Sequence, residues 1–201
     1  MYSTAWDCIY ATYGLRKGPF GNKESPRLSA LFRFLDRERK VVLDVGCGDG
    51  RNALALLRRG VTVFGVEISR IALRLLKAKA DREGLASRLN LILHDVNEGL
   101  PFRGATFDGV IDSFTFTFIR RRRYYLLEVY RVLRDGGVFL LEFNMQPHIL
   151  THGGLFKLAW GLMKDIGFKL LSTYRFFHAW GRISDETLPQ VPALALIVRK
   201  P

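Results

Sequence analysis

The chain has 201 residues, enough for one domain with a substantial hydrophobic core. Its composition, 48% hydrophobic and 25% charged, is that of a folded globular protein and excludes a disordered or fibrous chain. No apolar run reaches the roughly 18 residues of a membrane span, and we expect no signal peptide. Two cysteines are too few for a disulfide framework, so we expect a reduced, cytoplasmic location. The net charge of +12 would attract anionic substrates or nucleic acid.

The first predicted element is an aromatic helix. Trp6, Tyr10 and Tyr13 are four and three residues apart, which places them on one face of a helix. This face gives the segment of residues 1–20 two interpretations. It either closes over a ligand as a lid, or it packs on the sheet as an ordinary helix.

A glycine loop between a strand and a helix is the central motif of the chain. Ser25 and Pro26 predict the N-cap and first turn of a second helix, which leads into a strand. Residues 41–45 are apolar apart from Asp44 and predict a buried parallel strand. Glycines then occupy alternate positions, at Gly46, Gly48 and Gly50. A helix follows at once, so the loop presents bare backbone and free N–H groups to a negatively charged ligand group such as a carboxylate.

Two further strands follow in the first half of the chain. Residues 61–67 predict a strand that ends in Glu67, and an acid at this point of a nucleotide-binding α/β fold accepts hydrogen bonds from ribose hydroxyls. Ser69 caps a predicted helix over 70–82. Residues 89–93 predict the third strand.

The second half of the chain continues the alternation of strands and helices and closes with a hairpin. The predicted elements are a strand at 107–111, a helix at 124–133, a strand at 138–143, a helix at 155–166, a strand from 167 to about 178, and a strand at 193–198. The glycine turn at 133–137 separates the first of these helices from its strand.

These motifs together resemble the class I S-adenosylmethionine (SAM)-dependent methyltransferases, of the kind called type 11 or type 12. Leu43 to Gly50 resembles their first motif, and 100–111 and 133–137 resemble their segments around the fourth and fifth strands. The resemblance covers about 41–200. It implies an α/β fold with a Rossmann-like, doubly wound, seven-stranded mixed sheet, a C-terminal antiparallel hairpin and helices on both faces. We expect a single domain over 1–201, with 1–40 as a helical cap or lead-in and 41–201 as the core.

The resemblance implies that SAM is the cofactor, and that the first loop holds its amino-acid part. Gly46, Cys47 and Gly48 would present backbone to this part of SAM. Asp44 would orient the loop or contact the ammonium group. Arg51 would pair with the SAM carboxylate.

Later residues are assigned to the nucleoside and to the reacting sulfonium. Glu67 would hold the ribose, and Ile68 would cover one face of the adenine. Asp95 and Val96 would meet the adenine edge, although Asp95 can also be read as a solvated loop acid. Asp112 and Ser113 would close the site near the sulfonium.

The expected reaction is methyl transfer to a small-molecule acceptor, with S-adenosylhomocysteine as product. Arg51 followed by Asn52 also resembles the tellurite-resistance and thiopurine small-molecule methyltransferases. A nucleophile that is already deprotonated needs no general base, so we name no catalytic residue. His148 and His152 lie without a nearby cysteine or acid, which argues against a metal site, but either can bind substrate or accept a proton.

Two alternative functions remain open at this stage. The run Arg120 to Arg123 is either a patch for nucleic acid or the solvated start of a helix, and as a patch it would favour RNA or protein methylation. Residues 112–115 argue against methylation of nucleobase amino groups. They read Asp-Ser-Phe-Thr, whereas the family members that methylate such groups usually have Asn/Asp-Pro-Pro-Tyr at this place. The other alternative is a SAM-binding subunit without catalysis.

Overall fold

The computed structural model describes residues 2–15, 18–19, 21–35, 40–144, 154–179 and 190–201. The strands are β1 (Val41–Val45), β2 (Thr62–Glu67), β3 (Leu89–Leu93), β4 (Phe107–Ser113), β5 (Leu133–Asn144), β6 (Lys169–Ala179) and β7 (Gln190–Arg199). The helices are α1 (Tyr2–Tyr13), α2 (Leu28–Phe32), α3 (Arg51–Arg58), α4 (Arg70–Arg82), α5 (Arg122–Val132) and α6 (Gly154–Ile166). Within these residues, none of the helices has the length and apolar character needed to cross a membrane.

The seven strands form one mixed sheet in the order β3-β2-β1-β4-β5-β7-β6. The first five strands are parallel to one another, and β7 runs antiparallel between β5 and β6. This confirms the predicted doubly wound α/β fold with a C-terminal antiparallel hairpin. The strand order reverses between β1 and β4, and a ligand crevice is expected at the carboxyl ends of the strands there.

Hydrophobic residues cover both faces of the sheet and form two core clusters. On one face, Val110 and Phe139 pack with residues of α5 and α6. On the other face, Ile111 and Leu140 pack with residues of α2, α3 and α4. Neighbouring residues of a strand point to opposite faces, so these helices lie on both sides of the sheet as predicted.

Two local predictions were wrong. Leu133 already pairs with Phe107, and the N–H of Gly136 donates to the carbonyl of Lys200, so the expected glycine turn belongs to the start of β5. Ser25 does not cap α2, which begins later, at Leu28. Its hydroxyl donates to a buried carboxylate of β5 and accepts the N–H of Arg27, in the turn that precedes the helix.

Candidate functional site

A cavity lies at the carboxyl ends of β1, β2 and β4, between the glycine loop and α1. We call it the ligand cavity. It is lined by Trp6, Tyr10, Asp44, Gly46, Cys47, Gly48, Asp49, Arg51, Asn52, Val66, Glu67, Ile68, His94, Asp95, Val96, Asn97, Ser113, Phe114, Thr115, Phe118 and Ile119. All the residues assigned to the site from the sequence line it, except Asp112.

The glycine loop is tightly packed against its neighbours. Gly46 has a φ of +65°, and a Cβ there would collide with the hydroxyl of Thr115. Gly48 has a φ of +54°, and a Cβ there would collide with the hydroxyl of Tyr10. Glycine is therefore required at both positions by backbone conformation and by space. The loop carries Cys47, whose thiol pKa is raised well above its ordinary value by burial.

Asp44, on β1, is a buried acid with one unpartnered oxygen. Its carboxylate accepts the N–H of Ala53 at the start of α3, while Oδ2 has no hydrogen-bond partner among the described residues. Burial, with smaller contributions from other acids, raises the pKa of Asp44 to about 7, and the positive charge of Arg51 opposes this shift. An unpartnered, buried carboxylate oxygen at a cavity wall suits a cationic ligand group, which would replace its lost solvation.

Glu67, at the end of β2, is held by three backbone N–H groups. Its Oε1 accepts from Ile68 at 2.8 Å and from Ser69 at 2.9 Å, and its Oε2 accepts from Gly48 at 3.1 Å. Burial raises the pKa of Glu67, while these three hydrogen bonds lower it. Because each carboxylate oxygen accepts two hydrogen bonds, Oε2 keeps one position for a ligand hydroxyl.

Helix α1 lies across one wall of the cavity and is anchored by Asp7. The Oδ1 atom of Asp7 accepts the hydroxyl of Ser69 at 2.6 Å and the N–H of Ile71 at 3.1 Å. Asp7 therefore adds a second acceptor to the N-terminus of α4, and the hydrogen bond from Ser69 lowers the pKa of Asp7. On the same helix, Trp6 contacts the ring of Phe118 edge to face at 5.5 Å. This position favours the interpretation of α1 as a cover of the ligand.

Another wall of the ligand cavity lies at the carboxyl ends of β2 and β3. Ile68, His94 and Val96 line it together with Asp95. The Oδ1 atom of Asp95 accepts the N–H of Asn97 at 2.9 Å, which caps a short 3-10 turn. Asp95 thus has a structural partner and a place at the cavity wall at the same time.

Asp112 faces away from the cavity, on the α5 side of the sheet. Its Oδ1 accepts the N–H groups of Thr115 and Phe116, and its Oδ2 accepts the hydroxyl of Tyr125 at 2.7 Å. Burial raises the pKa of Asp112 to about 7. Alternation along β4 explains the difference from the sequence assignment, because Ser113 points to the cavity face and its neighbour points to the other.

One buried acid next to the cavity was not predicted from the sequence. The guanidinium of Arg51 donates to Ser113 Oγ at 2.7 Å, and Ser113 Oγ donates to Oε2 of Glu142 at 2.7 Å. Glu142 is 1% exposed and lies between Leu141 and Phe143, two residues before the end of β5. A charged residue inside an otherwise apolar strand was the available signal.

The histidines His148 and His152 lie outside the described residues, so their predicted roles stay untested. Two residues of the arginine run, Arg120 and Arg121, make contacts with neighbouring side chains. Arg120 is well exposed and lies 3.9 Å from Glu98, while Arg121 lies over the ring of Tyr124.

Comparison with known proteins identifies the domain that carries this cavity. Residues 43–141 match the model of the methyltransferase domain family. The methyltransferase GfsG of Streptomyces halstedii is 34% identical over 76% of this chain and 50% of its own length. The ubiquinone/menaquinone biosynthesis C-methyltransferase UbiE of Geotalea daltonii is 31% identical over 65% of this chain and 57% of its own length. The chain thus spans about half the length of the curated relatives it matches.

One solved structure covers nearly the whole fold. The [4+2]-cyclase SpnF superposes with a TM-score of 0.79 and 16% identity, over 100% of this chain and 96% of that chain. At this identity the match shows the fold alone.

The doubly wound sheet and the cavity over its glycine loop define a nucleotide-cofactor α/β protein. The match to the methyltransferase domain family narrows this class of protein further. Residues 43–141 carry a methyltransferase domain of the class I SAM-dependent kind, and the cofactor of this domain is SAM.

Proposed function

We propose that this protein transfers the methyl group of SAM to a small-molecule acceptor and releases S-adenosylhomocysteine. The observation that carries the proposal is the meeting of the glycine loop, Asp44 and Glu67 in one cavity. The name of the relative UbiE, a C-methyltransferase of quinone biosynthesis, supports a small molecule as acceptor.

The cavity offers a partner for each end of the cofactor. Oδ2 of Asp44 accepts from the ammonium group, and the guanidinium of Arg51 pairs with the carboxylate. Glu67 Oε2 accepts from a ribose hydroxyl. Asp95 and Ile68 meet the adenine ring.

SAM supplies the reaction chemistry, because its methyl group is bound to a positively charged sulfur and leaves readily. The protein has to hold the methyl group and the acceptor in line at close distance, which can contribute several kcal/mol to the lowering of the barrier. Aromatic side chains of the cavity, Trp6, Phe114 and Phe118, exclude water around this point.

The cofactor assignment is tested by the substitution Glu67→Ala. It removes a charged acceptor, so we expect SAM to bind at least several-fold more weakly, in line with about 1.5–3 kcal/mol for a hydrogen bond to a charged group. The measurement is isothermal titration with SAM. Glu128→Ala is the matched control, because Glu128 also accepts a backbone N–H, from Leu100, but lies outside the cavity. Equal affinity of the Glu67 variant and the wild type would refute the ribose assignment.

Methylation of nucleic acid is the second candidate, favoured by the net charge of +12 and the exposed Arg120. The two candidate functions predict that the methyl acceptor is found in different fractions of a cell extract. Transfer of labelled methyl groups into the ultrafiltered, low-mass part of a cell extract supports the small-molecule proposal. Transfer that occurs only when RNA is added back supports the alternative.

A further inference from the structure

A row of polar side chains extends from the ligand cavity along the sheet. It consists of Ser113 on β4 and of Glu142 and Asn144 on β5. Ser113 and Glu142 are paired residues of neighbouring parallel strands. Glu142 and Asn144 are 1% and 2% exposed. Polar groups this deeply buried require partners, so their hydrogen bonds indicate what the row can do.

Ser113 Oγ has one free acceptor position. The hydroxyl has one proton and two lone pairs. It donates its proton to Glu142 Oε2, and one lone pair accepts from Arg51 Nη2, both at 2.7 Å. Because Ser113 lines the cavity, the remaining lone pair is available to a hydroxyl of the acceptor.

Glu142 has two further partners on its other side. The hydroxyl of Ser25 donates to its Oε1 at 2.7 Å, and Arg27 Nε lies 3.5 Å from the same oxygen. The positive charge of Arg27 compensates the buried carboxylate. A carboxylate with a single serine between it and the cavity can take up a proton without itself reaching the ligand.

The backbone next to Ser113 is strained. Phe114 has a φ of +76°, which is unusual for a bulky residue, and its N–H donates to the carbonyl of Glu142 at 2.8 Å. Strain of this kind persists where the surrounding structure fixes it, often at functional sites. Here it places the ring of Phe114 at the cavity wall beside the serine hydroxyl.

We propose that Ser113 and Glu142 form a proton relay, and that the acceptor is a phenol that is methylated on oxygen. This rests on the proposed methyltransferase function. The phenol O–H donates to Ser113 Oγ, and the Ser113 proton moves to Glu142 Oε2 as the phenol proton moves to Ser113. The phenol oxygen forms the new bond to the methyl carbon while the bond from that carbon to sulfur breaks. S-adenosylhomocysteine leaves with the bond electrons, and Glu142 later returns the proton to water.

Asn144 lies at the far end of the row. Its Oδ1 is buried and has no hydrogen-bond partner among the described residues. It lies two residues beyond Glu142 on the same side of β5, about 7 Å along the strand, and it is not one of the residues that line the ligand cavity.

Glu142 has a competing, purely structural role, because it also holds Ser25 and Arg27. The test must therefore separate loss of the relay from loss of stability. Two substituted phenols separate these effects, because a nitrophenol is largely ionised near neutral pH and a methylphenol is not. Only the methylphenol needs a proton acceptor.

The experiment compares the wild type with Glu142→Gln and Ser113→Ala on substituted phenols and methyl-labelled SAM. Asp108→Asn is the control, because Asp108 is also a buried acid with an arginine partner, Arg134, but lies at the opposite end of β4. For the methylphenol we expect kcat to fall at least about 100-fold in both test variants, as for loss of a general base. For the nitrophenol the loss of kcat should stay below about 10-fold. In the control variant, kcat should fall only slightly, and to the same extent with both phenols.

Equal losses with both phenols, or no loss, would overturn the relay. A methyl group found on carbon, nitrogen or sulfur would also overturn it, as would transfer to small molecules of an extract but to no phenol. Failure of the proposed function looks different. In that case the wild type transfers no methyl group to any small molecule, although SAM binds.

Discussion

At the scale of single residues, Asp44 connects protonation to cofactor binding. Its pKa is raised to about 7 by burial, so a large part of the free protein holds it protonated near neutral pH. The folded state therefore binds a proton that the unfolded state, with a pKa of about 4, has released. The contribution of Asp44 to stability falls as pH rises between these two values.

We predict that the affinity for SAM increases from about pH 5 to about pH 7. The ammonium group favours the ionised form of Asp44, so binding lowers its pKa and releases a proton. Calorimetric titrations in buffers of different ionisation enthalpy measure this release. The variant Asp44→Asn should bind more weakly and show a much flatter profile. A wild type without pH dependence in this range, or a variant that keeps it, would contradict the assignment.

The residues that sequence reasoning found are those with a local motif. Asp44 and the glycines follow from one strand-loop-helix pattern, and Glu67 follows from its position at a strand end. Glu142 has no such pattern, because its partners Ser25 and Ser113 come from distant parts of the chain. The side of the sheet that Asp112 faces depends on where β4 ends, and a shift of one residue reverses the answer.

At the scale of elements, α1 lies outside the sheet and is anchored at the cavity by named side chains. Asp7 links it to the start of α4, and Trp6 links it to Phe118. A helix that lies outside the sheet can open without unfolding the sheet, and this is typical of segments that cover ligands. The helical face was predictable from aromatic spacing, but what it covers was not.

We predict that Asp7→Ala loosens α1. Amide hydrogens of residues 2–13 should exchange several-fold faster, and SAM should dissociate faster because its cover opens more often. Thr12→Ala is the control, since the hydroxyl of Thr12 donates within α1, to the carbonyl of Cys8, and holds no other element. Unchanged exchange and an unchanged dissociation rate in the Asp7 variant would show that α1 does not act as a cover.

Element bounds were predictable where one signal dominated. The strand at 41–45, the strand at 89–93 and the helix at 70–82 were predicted with their observed ends. Strand β5 was predicted too short, because its first residues pair with β4 and with Lys200 through tertiary hydrogen bonds. Local sequence carries no signal for such distant partners.

At the scale of the whole molecule, the net charge of +12 predicts weak, unspecific binding to RNA. Arg120, Arg121 and Arg123 are exposed at the start of α5. We expect their joint replacement by glutamate to reduce RNA binding at low salt and to leave SAM binding unchanged. Wild-type RNA binding should fall steeply with salt concentration, as for counterion release. RNA binding that persists at moderate salt would favour nucleic acid as a substrate.

The central claim is that the methyl group goes to a small molecule. The most direct test incubates the protein and methyl-labelled SAM with an extract of its source cells, and then separates small molecules, RNA and protein. We predict that the label appears in the small-molecule fraction and is reduced with Glu67→Ala. Label in RNA or protein would contradict the account, and intact SAM binding without any transfer would indicate a non-catalytic subunit.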